Sequence, residues 1–358
     1  MSEISQNLIN LPIEGDVFMF ANKHTYGIDL GSNTIKIYSQ KDNSIIKERN
    51  MIAIRKEKDV LAVGDKAYEM FEKNPVDIEV TSPMNNGMIA NVNQLDIVLQ
   101  TLLAKAERTV TRRPTIYFAV PVDMTEIEKR AYYSVARHGR FKRSNIMLVE
   151  RPITDALALG IPISKTKGSM IVNIGAQSTE ISVIADNRVI ISRLIPMGGD
   201  HFSQNIIHNI RRKNNFQISL RTASRLKAAL ADLKPERKTA SKIVGIDCVS
   251  GLPRERVVTS NIVHESIYNS VLEIGEQIRA FLERTPPQIH KIILQEGIYI
   301  TGGSTKIKNI DKILSEQLGC PILLSKHYEL CTIYGLKEMV THDALRHWAF
   351  TPKKQKRY

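Results

Sequence analysis

Two glycine turns carry the residue types that could hold the phosphates of a nucleotide. The first follows an apolar run that begins at Tyr26, and its polar and glycine positions are Asp29, Gly31, Ser32, Asn33, Thr34 and Lys36. A hairpin tip of this kind exposes backbone N–H groups and hydroxyls, which donate hydrogen bonds to phosphate oxygens. Glycine also lets a ligand approach the backbone closely. The sequence therefore predicts a phosphate cradle at this tip.

The second turn has the same plan but a different charge. It follows an apolar run at residues 170–172, and its polar and glycine positions are Asn173, Gly175, Gln177, Ser178 and Thr179. Where the first turn carries the acid Asp29, the second carries the amide Asn173. An amide has no negative charge with which to bind a metal ion or polarise a water molecule. This difference separates a protein that hydrolyses a nucleotide from one that only binds it.

The composition is that of a globular protein with a basic surface. The chain has 358 residues, of which 42% are hydrophobic and 24% charged, and its net charge is +13. This excess indicates either a solvated basic surface or a polyanionic partner, and composition favours the first. The cysteines Cys248, Cys320 and Cys331 lie far apart and are typical of a reducing compartment. With no apolar run near the roughly 18 residues of a membrane helix, and no signal-peptide pattern, we expect a cytoplasmic protein.

The elements around the two turns follow one plan twice. Each turn joins two strands, a third strand follows and a helix comes next, so we interpret the chain as a duplicated module. Thr125 and Glu128 have the spacing of a capping box at the start of a helix. Hydrophobic spacing predicts helices over residues 94–108, 126–138, 153–159, 262–283 and 306–318, and strands over residues 115–120, 145–149 and 291–301.

This layout resembles the MreB family, the cell-shape actins of the actin-like ATPase superfamily. The similarity covers about residues 25–340 and includes, besides the two hairpins, several stretches in the family's order. They are AVGDKA at 62–67, PMNNGMIA at 83–90, MGGD at 197–200, VSGLP at 249–253, RTPP at 284–287 and TGGS at 301–304. Their number and order distinguish the chain from the sugar kinases and chaperone ATPases of the same superfamily.

The resemblance implies an α/β, actin-like (ribonuclease H-like duplicated) fold with two domains around a nucleotide cleft. The implied boundaries are an N-terminal arm at 1–24, domain I at 25–165 with a small subdomain at about 53–108, domain II at 166–324 with a small subdomain at about 203–256, a segment at 325–345 that completes domain I, and a basic tail at 346–358.

The resemblance also implies that ATP and Mg²⁺ occupy the cleft. The residues from Gly31 to Thr34 would lie under the β- and γ-phosphates, and Asp29 would contact Mg²⁺ through water. Lys36 falls where actin carries a phosphate-contacting lysine; the alternative is an exposed hairpin lysine. In the second turn the family has Asp-Ile-Gly-Gly-Gly-Thr-Thr, whereas this chain has Asn173, Ala176 and Gln177 at three of those positions. A positive φ at either replaced glycine would cost on the order of 1 kcal/mol.

A third departure concerns the acid that orients the attacking water. The family has Glu-Glu-Pro where this chain has Glu150, Arg151 and Pro152, so Arg151 stands in register with the catalytic acid. Arginine stays protonated and cannot act as a base. Three interpretations compete: Arg151 clamps the nucleotide, Arg151 is a surface residue of a degenerate site, or Glu150 substitutes for the acid. The first two are favoured over the third.

The adenine side keeps more of the family's pattern. Gly302, Gly303 and Ser304 end a strand at a helix start, where backbone amides can meet a nucleotide. Lys227 falls where the family contacts the ribose or base. Ser224 and Ala229 replace acidic residues of the same helix, which removes expected ribose contacts. Asp200 either caps its helix or contacts the ligand.

These features predict an MreB-like cytoskeletal protein that binds ATP, forms head-to-tail filaments, and organises cell-wall synthesis and shape with slow or absent hydrolysis. Self-association is the expected partner interaction, with the cell-wall synthesis machinery and an anionic membrane surface as further candidates. An active ATPase or kinase of the same superfold is the alternative, and the missing acids count against it. A DNA-segregation actin or scaffold that uses the basic surface is a third hypothesis, although nucleic acid is not the favoured partner.

Overall fold

The chain forms two sheets of the same topology, one in each half. The computed structural model describes residues 24–56, 59–106, 113–135 and 141–351. Most of the expected N-terminal arm and basic tail lies outside these residues. Within them, the strands of one sheet lie in the order 145–150, 115–120, 25–30, 34–39 and 44–49, and those of the other in the order 188–195, 179–185, 169–174, 298–301 and 322–324. Each consists of an antiparallel meander extended by two parallel strands, so the duplicated, actin-like α/β architecture is confirmed.

The first half contributes the elements that carry the first glycine turn. They are β1 (Thr25–Leu30), β2 (Thr34–Ser39), β3 (Ser44–Arg49), β4 (Ile52–Arg55), β5 (Asp59–Val63), α1 (Asp65–Met70), β6 (Ile78–Thr81), β7 (Met84–Asn85), β8 (Met88–Ile89), α2 (Val92–Ala106), β9 (Thr115–Val120), α3 (Glu126–Val135), β10 (Asn145–Glu150) and α4 (Arg151–Leu159). The capping box of α3 is confirmed, because the Thr125 N–H donates to Glu128 Oε2 at 2.7 Å and the Glu128 N–H donates to Thr125 Oγ1 at 3.3 Å.

The second half carries the second turn and the C-terminal helices. Its elements are β11 (Ser169–Ile174), β12 (Thr179–Ala185), β13 (Arg188–Ile195), α5 (Gly199–Asn214), β14 (Phe216–Gln217), α6 (Leu220–Leu230), β15 (Ala240–Asp247), β16 (Pro253–Thr259), α7 (Ser260–Glu283), α8 (Pro287–Glu296), β17 (Ile298–Thr301), α9 (Ile310–Leu318), β18 (Ile322–Leu324) and α10 (Cys331–Thr341).

The strand predicted over residues 291–301 is wrong over its first part. Residues 287–296 form α8, with Pro287 in its first turn, where the missing N–H costs nothing. Gly297, at φ 96°, ends the helix, and only Ile298–Thr301 continue as β17. The apolar run of residues 292–294 is compatible with either structure, and the proline and glycine that bound it decide for the helix.

Helices α4 and α10 pack together between the two sheets. Ile153 and Ala156 of α4 and Leu336 of α10 share one buried cluster with Ala119 of β9 and Ile171 of β11. The helices approach closely at Gly335, where an added Cβ would lie 1.7 Å from the carbonyl oxygen of Thr154. Both helices therefore contact the two halves that form the cleft. None of the helices in the described part of the chain is long and apolar enough to cross a membrane.

Candidate nucleotide-binding cleft

A cleft of about 1250 Å³ separates the two halves and is lined by both glycine turns. The expected site residues that line it are Asp29, Gly31, Ser32, Asn33, Thr34, Lys36, Arg151, Asn173, Gly175, Gln177, Ser178, Lys227, Gly302, Gly303 and Ser304. Two expected residues do not line it. The Thr179 hydroxyl is buried and donates to the Met197 carbonyl at 2.7 Å, and Glu150 is a half-buried residue at the start of α4. The structure thus brings together nearly all of the residues singled out in the sequence.

The first turn holds a buried ion pair at the floor of the cleft. Asp29 on β1 and Lys36 on β2 are directly opposite each other in the antiparallel register, and Lys36 Nζ donates to Asp29 Oδ2 at 2.8 Å. Lys36 is only 6% exposed, so the interpretation as an exposed hairpin lysine is wrong. The tip is closed by the Gly31 N–H, which donates to the Thr34 carbonyl at 3.1 Å. A cation and an acid therefore meet where phosphates and a hydrated metal ion are expected.

The second turn closes in the same way without left-handed backbone at its replaced glycines. The Gly175 N–H donates to the Ser178 carbonyl at 2.9 Å. Ala176 and Gln177 are not among the residues with positive φ, so the anticipated strain is not incurred. Gln177 Oε1 instead accepts from the Asn86 N–H of the opposite half at 2.9 Å. The substitution therefore adds a contact across the cleft.

Arg151 is buried in an ion pair with Glu180, a residue that sequence analysis did not single out. Arg151 Nη1 donates to Glu180 Oε2 at 2.9 Å, and Glu180 Oε1 accepts from the Val122 N–H at 3.1 Å. Burial opposes the charge on Arg151, but Glu180 and Asp29 outweigh it and raise the pKa of the guanidinium above its usual range. At 9% exposure Arg151 is not a surface residue, so that part of the second interpretation is wrong. The hairpin pattern in the sequence could have pointed to Glu180, because this residue lies directly opposite Asn173.

Asn173 connects the cleft to a second buried acid, Asp155. Asn173 Nδ2 donates to Asp155 Oδ2 at 2.8 Å, and the Thr332 hydroxyl of α10 donates to Asp155 Oδ1 at 2.7 Å. Asp155 is 1% exposed, and burial raises the pKa of its carboxyl to about 7. Sequence analysis missed Asp155, because nothing in its helical context marks it as polar-facing or buried.

Glu150 does not replace the missing acid in the cleft. It precedes the first residue of α4, and its side chain is not part of the cleft wall. Burial, and then the charge of Glu180, raise the pKa of its carboxyl. The position of Glu150 therefore gives no support to the interpretation in which it substitutes for the acid.

The opposite wall is built from glycines and a half-buried lysine. Gly302 has φ 97°, and an added Cβ would lie 2.3 Å from the Ile174 carbonyl oxygen, so only glycine fits there. The Ser304 hydroxyl donates to the Gly175 carbonyl at 2.7 Å. Lys227 donates to the Gly199 carbonyl and to Ser203 Oγ, and burial lowers the pKa of its ammonium to about 8.

Asp200 contributes to the same wall and does not cap its helix. The N-cap of α5 is Gly198, and Asp200 lies in the first helical turn and lines the cleft. Its backbone N–H donates to the Ala176 carbonyl at 2.7 Å. Burial raises the pKa of the Asp200 carboxyl, while Lys227 opposes this effect. Asp200 was expected either to cap its helix or to contact the ligand, and its place in the cleft lining is compatible with the second role.

Side chains from both halves meet at the mouth of the cleft. The Tyr68 ring of α1 lies 4.2 Å from the Arg49 guanidinium and 5.0 Å from that of Arg221 on α6. Such cation–π contacts contribute roughly 0.5–1 kcal/mol each at exposed sites. Nearby, Glu329 accepts from Lys47 at 3.0 Å and from Lys306 at 2.7 Å. These contacts join residues of the two halves at the mouth of the cleft.

The duplicated sheets, the paired glycine turns and the cleft between them define the class: this is an actin-like protein. A family model described as MreB/Mbl protein matches residues 23–346. The chain therefore belongs to the MreB/Mbl family.

Individual relatives agree over nearly their full length. The cell shape-determining protein Mbl of Bacillus subtilis is 32% identical over 317 residues, which are 88% of this chain and 95% of Mbl. The cell shape-determining protein MreB of Escherichia coli is 30% identical, over 88% of this chain and 92% of MreB. The crystal structure of MreB5 of Spiroplasma citri bound to ADP superimposes with a TM-score of 0.84 at 27% identity, covering 90% of this chain and 97% of that one. MreB5 has also been solved bound to AMPPNP.

Proposed function

We propose that this protein is a cell-shape filament protein that binds ATP with Mg²⁺ in its cleft, polymerises head to tail, and hydrolyses ATP slowly or not at all. The proposal on hydrolysis rests on one observation, the buried pair of Arg151 and Glu180. Support for the nucleotide comes from the fit of the two turns and from MreB5, which has been solved with ADP and with AMPPNP. Support for the cell-shape role comes from Mbl and MreB, which are named for it.

The residues present fit Mg²⁺ bound through water. Lys36 occupies Asp29 Oδ2, which leaves Oδ1 to accept from a metal-bound water molecule. Mg²⁺ keeps several waters and is commonly held by one carboxylate together with substrate phosphates. The ion would neutralise phosphate charge beside Lys36. In this arrangement Asp29 orients the hydrated ion, and Lys36 contacts a phosphate oxygen while it holds Asp29 in place.

Hydrolysis is helped by a charged group that holds the attacking water or takes up its proton. The pairing of Arg151 with Glu180 leaves little of this kind in the cleft. Arg151 cannot accept a proton. Glu180 has one carboxylate oxygen bound to Arg151 and the other to the Val122 N–H. Asn173 is neutral. The site therefore favours retention of the nucleotide over its cleavage.

Polymerisation is supported by an apolar face on the small sheet of β14, β15 and β16. Val244, Ile246 and Val257 are 60%, 49% and 59% exposed, and Val249 and Leu252 on the connecting turn are 84% and 59% exposed. A group of exposed apolar side chains on one face of a sheet is typical of an interaction site. A head-to-tail contact between unlike surfaces produces an open filament. We propose cell-wall synthesis proteins and an anionic membrane face as further partners, in the cytoplasm.

The test measures ATP binding, phosphate release and light scattering for the unmodified protein and for Arg151→Glu. Arg151→Met serves as the matched control that removes the cation without adding an acid, and thermal unfolding reports whether each variant is folded. We expect ATP binding and scattering with little phosphate release, and more release from Arg151→Glu than from Arg151→Met. Steady release by the unmodified protein that Arg151→Glu does not raise would contradict slow hydrolysis. A lack of ATP binding would contradict the nucleotide proposal, and salt-sensitive DNA binding would favour a DNA-segregation role.

A further inference from the structure

Asp155 binds the NH₂ end of the Asn173 side chain. Both Asp155 oxygens are occupied, one by Asn173 Nδ2 and the other by the Thr332 hydroxyl. An ionised carboxylate has acceptors only, so a neighbouring amide must present its NH₂ group to it. At pH 8, above the pKa of about 7 that burial gives this carboxyl, Asp155 is ionised and its side chain is held from two sides. The charge of Asp155 then fixes the orientation of the Asn173 amide.

The amide oxygen of Asn173 consequently points away from Asp155 and towards the wall of the cleft. It lies beside Gly302, where a Cβ would come within 2.7 Å of Asn173 Oδ1. Both Asn173 and Gly302 line the cleft. Among the residues that the structure describes, no hydrogen-bond donor to Asn173 Oδ1 is found. The side that a ligand would meet is therefore an acceptor, as it would be with an aspartate.

We infer that Asp155 is a positioning residue, which holds Asn173 so that its amide oxygen accepts a hydrogen bond from nucleotide-bound water. This inference rests on the proposed nucleotide in the cleft. The negative charge that the family has at position 173 is here at Asp155, behind the residue that lines the cleft. The neutral amide oxygen of Asn173 takes the place of the carboxylate oxygen at the cleft wall. An aspartate at 173 would put two carboxylates about 2.8 Å apart in a buried site.

The first test compares Asp155→Asn with the unmodified protein at pH 8. An asparagine at 155 can donate as well as accept, so Asn173 is free to turn its NH₂ group towards the cleft. We expect the affinity for ATP to fall about two- to tenfold, the equivalent of one hydrogen bond. The melting temperature should be unchanged or higher, because a buried charge has been removed. Glu338→Gln, which removes a half-buried acid of α10 outside the cleft lining, should change neither quantity.

The second test exchanges the two side chains. Asn173→Asp alone should lower the melting temperature, whereas Asp155→Asn with Asn173→Asp restores a donor–acceptor pair and should recover most of it. These measurements need no nucleotide, so they separate the inference from the proposed function. Equal ATP affinity in Asp155→Asn, or additive effects of the two substitutions on unfolding, would overturn the positioning role. Absence of ATP binding by the unmodified protein, with the coupling intact, would overturn only the nucleotide proposal.

Discussion

Glu180 lies directly across the second hairpin from Asn173, in the position that Lys36 has across from Asp29 in the first. The two halves therefore carry an acid and a cation in one turn, and an amide and an acid in the other. Arg151 completes the second arrangement by pairing with Glu180 at 2.9 Å. Each turn thus has one carboxylate paired with one cation, but the cation of the first pair, Lys36, lies on the hairpin itself, whereas that of the second, Arg151, comes from α4.

The Arg151–Glu180 pair should be important for stability. Glu180 is 4% exposed, so Arg151→Met leaves a buried carboxylate without its cation. We expect the free energy of unfolding in urea to fall by about 3–5 kcal/mol. The double variant with Glu180→Gln should recover much of this loss. As a control, Lys167→Met at the exposed Lys167–Asp186 pair should change the value by less than about 1 kcal/mol. Similar small losses at both pairs would refute the prediction.

Asp155 should make stability depend on pH. Its pKa is about 7 in the folded protein and near 3.8 when unfolded. Between these values the folded state keeps a proton that the unfolded state has lost, so the free energy of unfolding falls as the pH rises. The slope contributed by this group is at most about 1.4 kcal/mol per pH unit, and it vanishes above pH 7 and below pH 4. Urea denaturation at pH 5 and pH 8 should show that Asp155→Asn gains stability relative to the unmodified protein at the higher pH. A constant difference would show that the carboxyl does not titrate in this window.

Lys36 should contribute directly to ATP affinity. It is buried at the cleft floor and holds Asp29, so Lys36→Met removes a phosphate donor and leaves an unpaired acid near the phosphates. We expect ATP affinity to fall about tenfold or more, as measured with a fluorescent analogue. Lys326→Met, which removes an exposed lysine outside the cleft, is the control. Unchanged affinity in Lys36→Met would mean that the lysine serves only Asp29.

The apolar face of β15 and β16 should be required for assembly. Val257→Lys places a charge on this face without disturbing the buried side of the strand, where Val258 is 3% exposed. Light scattering in the presence of ATP should be strongly reduced, while thermal unfolding and ATP binding stay the same. Val76→Lys is the control, at a valine elsewhere on the surface that is more exposed than Val257. If both variants polymerise like the unmodified protein, this face is not a filament contact.

Tyr68 should slow the exchange of nucleotide. Because its ring lies between Arg49 and Arg221, it links the two sides of the cleft mouth. Tyr68→Ala should raise the dissociation rate of a fluorescent nucleotide several-fold, in keeping with two contacts of roughly 0.5–1 kcal/mol each. Tyr68→Phe keeps the ring and should behave like the unmodified protein. Equal nucleotide dissociation rates for Tyr68→Ala and Tyr68→Phe would show that the Tyr68 ring does not slow the release of nucleotide.

The hairpins and the cleft residues could be predicted because their signals are local. Glycine, hydroxyl and strand-forming residues occur together at each turn, and the duplication repeats them. The roles of Glu180 and Asp155 could not be predicted, because they depend on partners distant in the chain. Glu180 meets Arg151 29 positions away, and Asp155 meets Thr332 177 positions away. The strand expected over residues 291–301 is wrong in its first part, because the apolar residues 292–294 fit a helix as well as a strand. Pro287 and Gly297 bound the helix that forms there.

The contact of Gly335 with Thr154 packs α4 and α10 so tightly that they can hardly move relative to each other. Backbone meets backbone there, and no side chain between them can change rotamer to absorb a displacement. Arg151 at the start of α4 lies in the cleft wall. A small shift of this residue would therefore move α10 as well. We therefore expect α4 and α10 to shift as one unit when a nucleotide occupies the cleft.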